Sequence, residues 1–265
     1  MRSPLILAAA FVLAGGARGW AQTRPLATEE AFTAAAGTLV LEAGAQVLSG
    51  EPNFLTGAAR DRWDGPELRV VYSPAGNVEL DVEWTARVGA RGDPDFGDVS
   101  DFGDVALRAK VRVAGRPGGG SAIGLRFGVI LPQTSFGNGL GPNALRTVAQ
   151  LLASRAVGRA TVHLDAGVAI LDEPLRAHEQ RDLLAYGAAV TWPIARVTLV
   201  GEVAGLAGRG SPGADARSEA RAGARLGAGR LRGDVAVRRG LTRAAGEWGI
   251  TAGVTWAVRE SAARP

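Results

Sequence analysis

The sequence predicts an all-β membrane protein, a transmembrane antiparallel up-and-down β-barrel of about twelve strands preceded by a cleaved signal peptide. Three observations predict this fold. The chain opens with a short apolar stretch, apolar and polar residues then alternate in segment after segment, and short connections between segments alternate with long ones. Alternation gives strands with one apolar face, and alternating connection lengths are typical of outer-membrane barrels.

Residues 1–21 form the predicted signal peptide. Arg2 supplies the positive charge, residues 5–15 are mostly apolar, and residues 19–21 fit a cleavage site. A membrane anchor is the alternative, but the apolar run is shorter than the roughly 20 residues that a spanning helix needs. The remaining boundaries are a periplasmic N-terminal lead at 22–36, the outer-membrane barrel at 37–258 and a C-terminal tail at 259–265. The lead is too short for a folded plug domain, although it is long enough to reach the periplasmic mouth.

Twelve segments follow the alternating pattern. In the clearest one, residues 77–88, apolar side chains from Val78 to Val88 fall on one face and charged or polar ones on the other. The sixth segment is the weakest, because its leucines also fit one face of a helix. The twelve predicted strands are 38–48, 66–73, 77–88, 105–113, 122–132, 146–156, 160–171, 182–192, 196–206, 217–226, 230–239 and 247–258.

Connection lengths give independent support for a barrel. The connections after even-numbered segments are short, and most of those after odd-numbered segments are long, as at 50–65, 89–101, 132–143 and 207–216. Outer-membrane barrels combine short periplasmic turns with long outer loops and an even strand count, whereas a soluble β-sandwich has no reason to alternate in this way.

Aromatic residues near the predicted strand ends fit the two membrane interfaces. The apolar faces of the clearest strands carry no charge, as contact with lipid requires. The expected partners are therefore outer-membrane lipid and the barrel-assembly machinery, together with an unidentified small solute. The predicted aromatic girdle consists of Tyr72, Trp192, Trp248 and Trp256.

Charged faces then line the lumen. The third and fourth predicted strands suggest a register in which every facing pair has opposite charges. Such a wall fits a charged constriction that selects solutes, or a self-neutralising interior, which we favour because buried charges usually pair. The predicted pairs are Arg87 with Asp104, Glu83 with Arg108, Asp81 with Lys110, and Glu79 with Arg112.

The later strands carry more arginines than acids on the predicted lumen face. This excess predicts a positive stripe that would favour anionic or carboxylate solutes. The arginines are Arg221, Arg225, Arg232 and Arg238, and the acids are Glu219 and Asp234.

Composition argues against several other classes of protein. The 265 residues include no cysteine and two histidines, which excludes disulfide scaffolds and thiolate metal sites. Without the signal peptide the chain has 28 basic against 26 acidic residues, and these are interleaved, so we expect no nucleic-acid partner. We also expect no cofactor and no metal. Five aspartates from Asp93 to Asp104 do not match a calcium-binding loop, although weak divalent binding in an outer loop is the alternative.

Ser154, His163 and Asp165 are the best candidates for a hydrolytic triad. Residues two apart on one strand, and diagonal neighbours on paired strands, lie about 7 Å apart, whereas a working triad needs contacts of about 3 Å. We therefore expect no catalysis here and place His163 in the lumen.

Several stretches resemble the family of outer-membrane transporters named after the meta-pathway of phenol degradation. They are residues 24–31 with Gly37, Leu41 and Glu42, then 77–80, 103–112 with the lone lysine Lys110, and 128–132. Gln133 and Thr134 depart from the family pattern, and so does the tail beyond Trp256. The resemblance implies an outer-membrane barrel that helps small, often hydrophobic or aromatic molecules to cross.

The expected function is a passive outer-membrane channel or transporter for small solutes, without enzymatic activity. Twelve strands lie between filled eight-stranded barrels and open porins, so the lumen should be narrow or partly obstructed. One alternative is a structural or adhesive outer-membrane barrel that works through its outer loops. Another is an outer-membrane lipid hydrolase.

Overall fold

The computed structural model of the chain describes residues 24–116, 120–227 and 229–259. The predicted signal peptide and residues 260–265 of the predicted tail lie outside these ranges. No helix within the described ranges is long and apolar enough to cross a membrane.

The regular secondary structure of the described residues consists of antiparallel strands and one short 3-10 helix at Arg243–Ala245. The strands are β1 (Leu39–Pro52), β2 (Ala59–Ala75), β3 (Val78–Thr85), β4 (Val88–Asp93), β5 (Gly97–Asp101), β6 (Val105–Gly115), β7 (Ser121–Leu131), β8 (Arg146–Val157), β9 (Ala160–Asp172), β10 (Gln180–Ile194), β11 (Val197–Ala207), β12 (Arg217–Leu226), β13 (Leu231–Gly240) and β14 (Trp248–Arg259).

The sheet closes on itself because β1 pairs with both β2 and β14. Twelve of the strands form the closed ring, and β4 and β5 form a side hairpin that pairs with the first residues of β2. The predicted twelve-stranded antiparallel barrel is thus confirmed. Each of the twelve predicted segments is a strand, including the sixth, which is β8.

The two faces of the wall have the polarity of a membrane barrel. On β3, Leu80 and Val82 point outward and are each 47% exposed, whereas Asp81 between them is 4% exposed. Lys110 on the neighbouring strand is only 2% exposed. Large apolar side chains outside and charged ones inside are the reverse of a soluble protein and match a barrel whose outer face meets lipid.

The β3–β6 register differs from the predicted one by two residues. Glu79 lies opposite Lys110, and Asp81 lies opposite Arg108. Opposite charges still face each other, because the signs repeat with the same period as the strand. The choice between the two registers is made at the strand ends, where Arg112 N–H donates to the Asn77 carbonyl (2.8 Å) and Gly103 N–H donates to the Thr85 carbonyl (2.9 Å).

Connection lengths divide the barrel into two ends. The turn end carries short connections, such as those between β8 and β9 and between β10 and β11, and the loop end carries long ones. Residues 89–101, predicted as a long connection, lie at the loop end and form most of the β4–β5 hairpin, because β4 pairs with the part of β2 that extends past the barrel wall.

Candidate functional site

The lumen is occupied by the N-terminal stretch of the described chain. We call residues 24–36 the lumen segment. It leaves the turn end at Gly37, whose N–H donates to the Ser73 carbonyl (2.7 Å), and reaches strand centres at Arg24. These residues were expected to be a periplasmic lead that could reach the periplasmic mouth, and the hydrogen-bond partners of residues 24–36 lie on the inner faces of the strands.

Wall side chains bind the backbone of the lumen segment. Five of its N–H groups donate to carboxylate or hydroxyl oxygens on four different strands, so the wall supplies the partners that a sheet would otherwise give an extended peptide. The bonds run from Ala27 and Thr28 to Glu202 (2.8 Å each), from Glu29 to Asp165 (2.7 Å), from Ala31 to Ser154 (2.9 Å) and from Ala34 to Glu79 (2.6 Å).

Basic side chains of the wall bind carbonyl groups of the same segment. Arg225 donates to the Arg24 carbonyl (2.8 Å), Arg221 to the Pro25 carbonyl (2.8 Å) and Lys110 to the Glu30 carbonyl (3.1 Å). At the turn end Arg112 donates to Thr33 Oγ1 (3.0 Å) and to the Gly76 carbonyl (2.9 Å). Four of the predicted lumen arginines and lysines therefore hold the segment.

Glu29 is the buried ionic anchor of the segment, with 1% of its surface exposed. Its carboxylate lies 3.1 Å from Lys110 Nζ, 3.1 Å from Arg126 Nη2 and 3.4 Å from Arg69 Nη2. The three cations come from β6, β7 and β2. Lys110 also contacts Glu79 at 2.6 Å, and Arg69 contacts Asp81 at 3.1 Å, so a network of alternating charges surrounds the anchor.

Arg24 forms a second ionic anchor. It donates to Glu67 on β2 (2.8 Å) and to Thr251 Oγ1 on β14 (3.0 Å), and its Nε lies 3.6 Å from Asp234 on β13. These contacts join β13, β14 and β2, the last of which is separated from β14 by β1, through one guanidinium. Glu29 and Arg24 thus fix the segment near its middle and at its inner end.

Small residues on the wall make room for the segment. A Cβ on Gly44 would lie 2.1 Å from the Arg24 guanidinium, and one on Gly187 would lie 2.6 Å from Thr28 Oγ1. Alanines on the wall contribute in the same way, since Ala31 packs against Ala122 and Leu26 against Ala189. The wall is shaped to accept a peptide at this level.

Above the segment, an outer cavity of about 900 Å³ opens toward the loop end. Ala27 and Thr28 of the segment contribute to its floor. A second cavity of about 290 Å³ runs beside the segment and reaches Glu42, Arg69 and Arg126. Both cavities are lined by Gln46, Glu67, Glu83, Arg108 and Arg221, so they adjoin each other.

Charged pairs line the outer cavity. Arg108 contacts Glu83 at 2.9 Å and Asp81 at 3.0 Å. Arg238 contacts Glu219 at 2.7 Å, and Arg221 binds the same carboxylate at 2.5 Å. The arginine excess predicted for the later strands is therefore largely balanced here by ion pairs with Glu219 and with acids of other elements.

One of the four predicted charge pairs, Arg87 with Asp104, fails at the loop end. Arg87 is exposed and stacks on Phe102, with 5.1 Å between the guanidinium carbon and the ring centre, so it does not line the lumen. The reason is that β3 ends at Thr85, before Arg87. Asp104 instead pairs with Arg146 and accepts hydrogen bonds from the N–H groups of Gln133 (2.9 Å) and Thr134 (3.1 Å).

The other predicted pairs change partner because of the two-residue shift. Asp81 contacts Arg108 and Arg69, Glu79 contacts Lys110, and Arg112 binds the segment and turn instead of Glu79. Only the Glu83–Arg108 pair has its predicted partners, as a diagonal contact. On β13, Asp234 is buried and Arg232 partly buried on the inner face.

A buried charge cluster ties the loops together at the outer mouth. Arg60 donates to Asp93 Oδ2 (3.0 Å) and to the Asn138 carbonyl (3.1 Å), and the Asn53 side-chain amide donates to the same Asp93 oxygen (2.8 Å). Burial alone would raise the pKa of Asp93, but the hydrogen bonds from Asn53, from the Asp95 and Phe96 N–H groups and from Arg60 outweigh it and lower that pKa. Of the five aspartates, Asp93, Asp98, Asp101 and Asp104 each accept hydrogen bonds from protein groups, and no cluster of three metal-ligating side chains occurs in the described ranges.

Ser154 and His163 meet, contrary to the expected separation. They lie opposite each other on β8 and β9, and Ser154 Oγ is 2.8 Å from His163 Nδ1. Both are buried beneath the segment, at 3% and 2% exposure. Asp165 does not complete a triad, because it accepts the Glu29 N–H, and His163 Nε2 faces Thr191 Oγ1 at 3.5 Å.

The four predicted girdle residues lie on the outer face. Trp248 is near the loop end, whereas Tyr72, Trp192 and Trp256 are near the turn end. Each is about half exposed, between 46% and 52%. Trp248 and Trp256 are eight residues apart on β14, which corresponds to roughly 20 Å along the axis of a tilted barrel and is close to the height of an apolar band.

Comparison with solved structures identifies similar barrels. An outer membrane channel from Pseudomonas putida F1 is 15% identical, with a TM-score of 0.64 over 85% of this chain and 97% of that chain. The β domain of the Bordetella autotransporter BrkA is 14% identical, with a TM-score of 0.47 over 83% of this chain and 99% of that chain. No protein-family model matches the sequence, and no curated protein matches it. The likeness to the Pseudomonas channel shows that the two proteins share the barrel fold.

Proposed function

We propose that the protein is an outer-membrane channel for small polar solutes in which the lumen segment narrows the periplasmic half. The turn end would face the periplasm and the loop end the exterior, as in other outer-membrane barrels. The observation that carries the proposal is the outer cavity of about 900 Å³, lined by charged residues inside a wall whose outer face is apolar. The likeness in fold between this protein and an outer membrane channel supports the same function.

The lining favours polar over hydrophobic solutes. Glu83, Arg108, Glu219 and Arg221 face the passage, and an apolar molecule gains little from a wall of paired charges. The sequence resemblance to transporters of the phenol meta-pathway family supports membership of that family. The charged lining of the outer cavity does not favour the hydrophobic or aromatic molecules that the resemblance implies.

The Ser154–His163 pair gives little support to the hydrolase alternative. Ser154 Oγ already accepts the Ala31 N–H at 2.9 Å, and both side chains are covered by the segment. A nucleophile in that position has no space for a lipid ester. The pair is better explained as part of the binding surface for the segment.

Liposome swelling tests the channel proposal. Purified protein, shown to be folded by its heat-dependent gel mobility, is reconstituted into vesicles that are diluted into isosmotic amino acids, monosaccharides or trisaccharides. We expect swelling with amino acids and monosaccharides and much slower swelling with trisaccharides, because the passage beside the segment is narrow. Vesicles with boiled protein are the control. If folded protein permits no swelling with any solute, the proposal is wrong.

A further inference from the structure

We propose that Arg69, Lys110 and Arg126 form a carboxylate-binding site that Glu29 occupies in this structure and that a small free carboxylate can occupy when Glu29 leaves. The proposal deepens the proposed channel function and rests on it for its physiological meaning. The solutes that would bind at these three cations are monocarboxylates. We call the three cations the carboxylate cradle.

The cradle contacts both oxygens of the Glu29 carboxylate, each through different cations. Lys110 contacts Oε1 of Glu29 at 3.1 Å, while Arg126 and Arg69 contact Oε2 at 3.1 and 3.4 Å. Charge-assisted hydrogen bonds of this kind are the strong ones, and guanidinium groups suit planar carboxylates. Side-chain exposure is 2% for Lys110 and 8% for Arg69, so the site is screened from bulk water.

The cradle depends on a carboxylate for its charge balance. Lys110 also contacts Glu79, and Arg69 contacts Asp81 and Glu42, but within the described ranges Glu29 is the one acid in ion-pair contact with Arg126. If Glu29 leaves, a partly buried guanidinium loses its counter-ion, which is strongly unfavourable. A solute with one carboxylate restores the balance, whereas a polyanion would meet Glu42, Glu79 and Asp81.

A solute can approach the cradle from the loop end. The smaller cavity of about 290 Å³ is lined by Arg69 and Arg126, and it adjoins the outer cavity through Glu67, Glu83 and Arg108. Glu29 belongs to a segment without regular secondary structure, so its departure breaks side-chain contacts and no strand pairing. The segment therefore places a tethered carboxylate where a free one fits.

Chemical rescue tests the cradle. In Glu29→Ala we expect a lower thermal unfolding midpoint in detergent than in the natural protein. Sodium acetate should raise that midpoint in a saturable way, and sodium chloride at equal ionic strength should not. Glu30→Ala is the matched control, because Glu30 lies 3.4 Å from Arg225 and outside the cradle. Equal effects of acetate and chloride, or equal acetate effects in both variants, would overturn the proposal.

Two further measurements keep the test decisive. Glu29→Ala combined with Arg126→Met restores the charge balance, so the double variant should fold without acetate and show no acetate response. In the natural protein, acetate should accelerate hydrogen exchange at residues 26–36 relative to chloride, because it competes with Glu29. An unchanged exchange rate there contradicts the proposal, even if no variant folds.

The outcomes separate this inference from the channel proposal. Acetate rescue of the unfolding midpoint in protein that permits no vesicle swelling would support the cradle and refute the channel. Swelling without any acetate-specific effect would support the channel and refute the cradle.

Discussion

Single carboxylates inside the barrel carry much of the attachment of the lumen segment. Glu202 accepts the N–H groups of both Ala27 and Thr28, and its side chain is fully buried. A carboxylate that accepts hydrogen bonds from two backbone N–H groups replaces the carbonyl oxygens that a neighbouring strand would supply. Its removal leaves both donors without a partner, which is more costly than the loss of one exposed contact.

We expect Glu202→Ala to lower the free energy of unfolding by about 2–3 kcal/mol, from two lost hydrogen bonds to a charged acceptor. In the same variant, the hydrogen-exchange rates of the Ala27 and Thr28 N–H groups should rise. Glu247→Ala, at an exposed position in an outer loop, is the control and should leave both quantities unchanged. Unchanged exchange at Ala27 and Thr28 in the Glu202 variant would show that Glu202 does not hold the segment.

The buried cluster of Arg60, Asp93 and Asn53 at the outer mouth predicts that the stability of the β4–β5 hairpin falls at acidic pH. Asp93 has a lowered pKa in the folded state, so its ionised form stabilises the fold above the unfolded pKa of about 3.9. This contribution is lost as the pH falls through the folded pKa. Hydrogen-exchange protection of the β4–β5 hairpin should therefore stay constant from neutral pH to about pH 5 and fall as the pH drops below about 4.

Two variants check that assignment. Asp93→Asn should weaken hairpin protection at neutral pH and remove most of the acid-dependent fall. Asp95→Asn, two residues away and exposed, should retain the fall of the natural protein. The assignment to Asp93 is wrong if both variants keep the same acid dependence.

At the level of strands, the period-two alternation predicted all twelve barrel strands because the two faces meet different surroundings, which is a local property. The β3–β6 register was not fixed in the same way. Every second residue of β3 from Glu79 to Glu83 is acidic and every second residue of β6 from Arg108 to Arg112 is basic, so a shift of two residues preserves most of the attraction. The junction at Gly103 decides the register, since its Cβ would lie 2.5 Å from the Thr85 carbonyl oxygen.

Two other elements depend on contacts between distant parts of the chain. The β4–β5 hairpin is rich in glycine and charge, and it is held by β2 and by Leu140 from another loop, which packs on Val88 and Ala90. The lumen segment has no periodicity at all. The sequence feature that reflects its position lies on the wall, where glycines such as Gly44 and Gly187 face the segment.

A disulfide can test the position of the lumen segment in cells. The chain has no cysteine, and a Cβ on Gly187 would lie 3.2 Å from the Thr28 Cβ, near the roughly 3.5–4.5 Å of natural disulfides. We expect Thr28→Cys with Gly187→Cys to form a crosslink in the envelope, detected by mass spectrometry. Thr28→Cys with Gly120→Cys is the control and should stay reduced, since nothing lies near Gly120. Equal crosslinking in both pairs would contradict the position.

For the whole molecule, the apolar outer face predicts a strong penalty for charge. Leu164, at 52% exposure, points outward on β9, whereas Leu175, at 50% exposure, lies in a loop beyond the wall. Leu164→Arg should cost about 2–4 kcal/mol in refolding into lipid vesicles, and Leu175→Arg should stay within about 0.5 kcal/mol of the natural protein. Similar small costs at both positions would mean that the wall does not face lipid.

Single-channel conductance of the protein, compared with that of a variant that lacks residues 24–36, tests the role of the lumen segment most directly. Both proteins should first show the heat-dependent gel mobility of a folded barrel. We predict small current steps for the complete protein and severalfold larger steps for the deletion variant, because the segment occupies the half of the lumen nearer the turn end. Equal conductance in two folded barrels would contradict the claim that the segment limits passage.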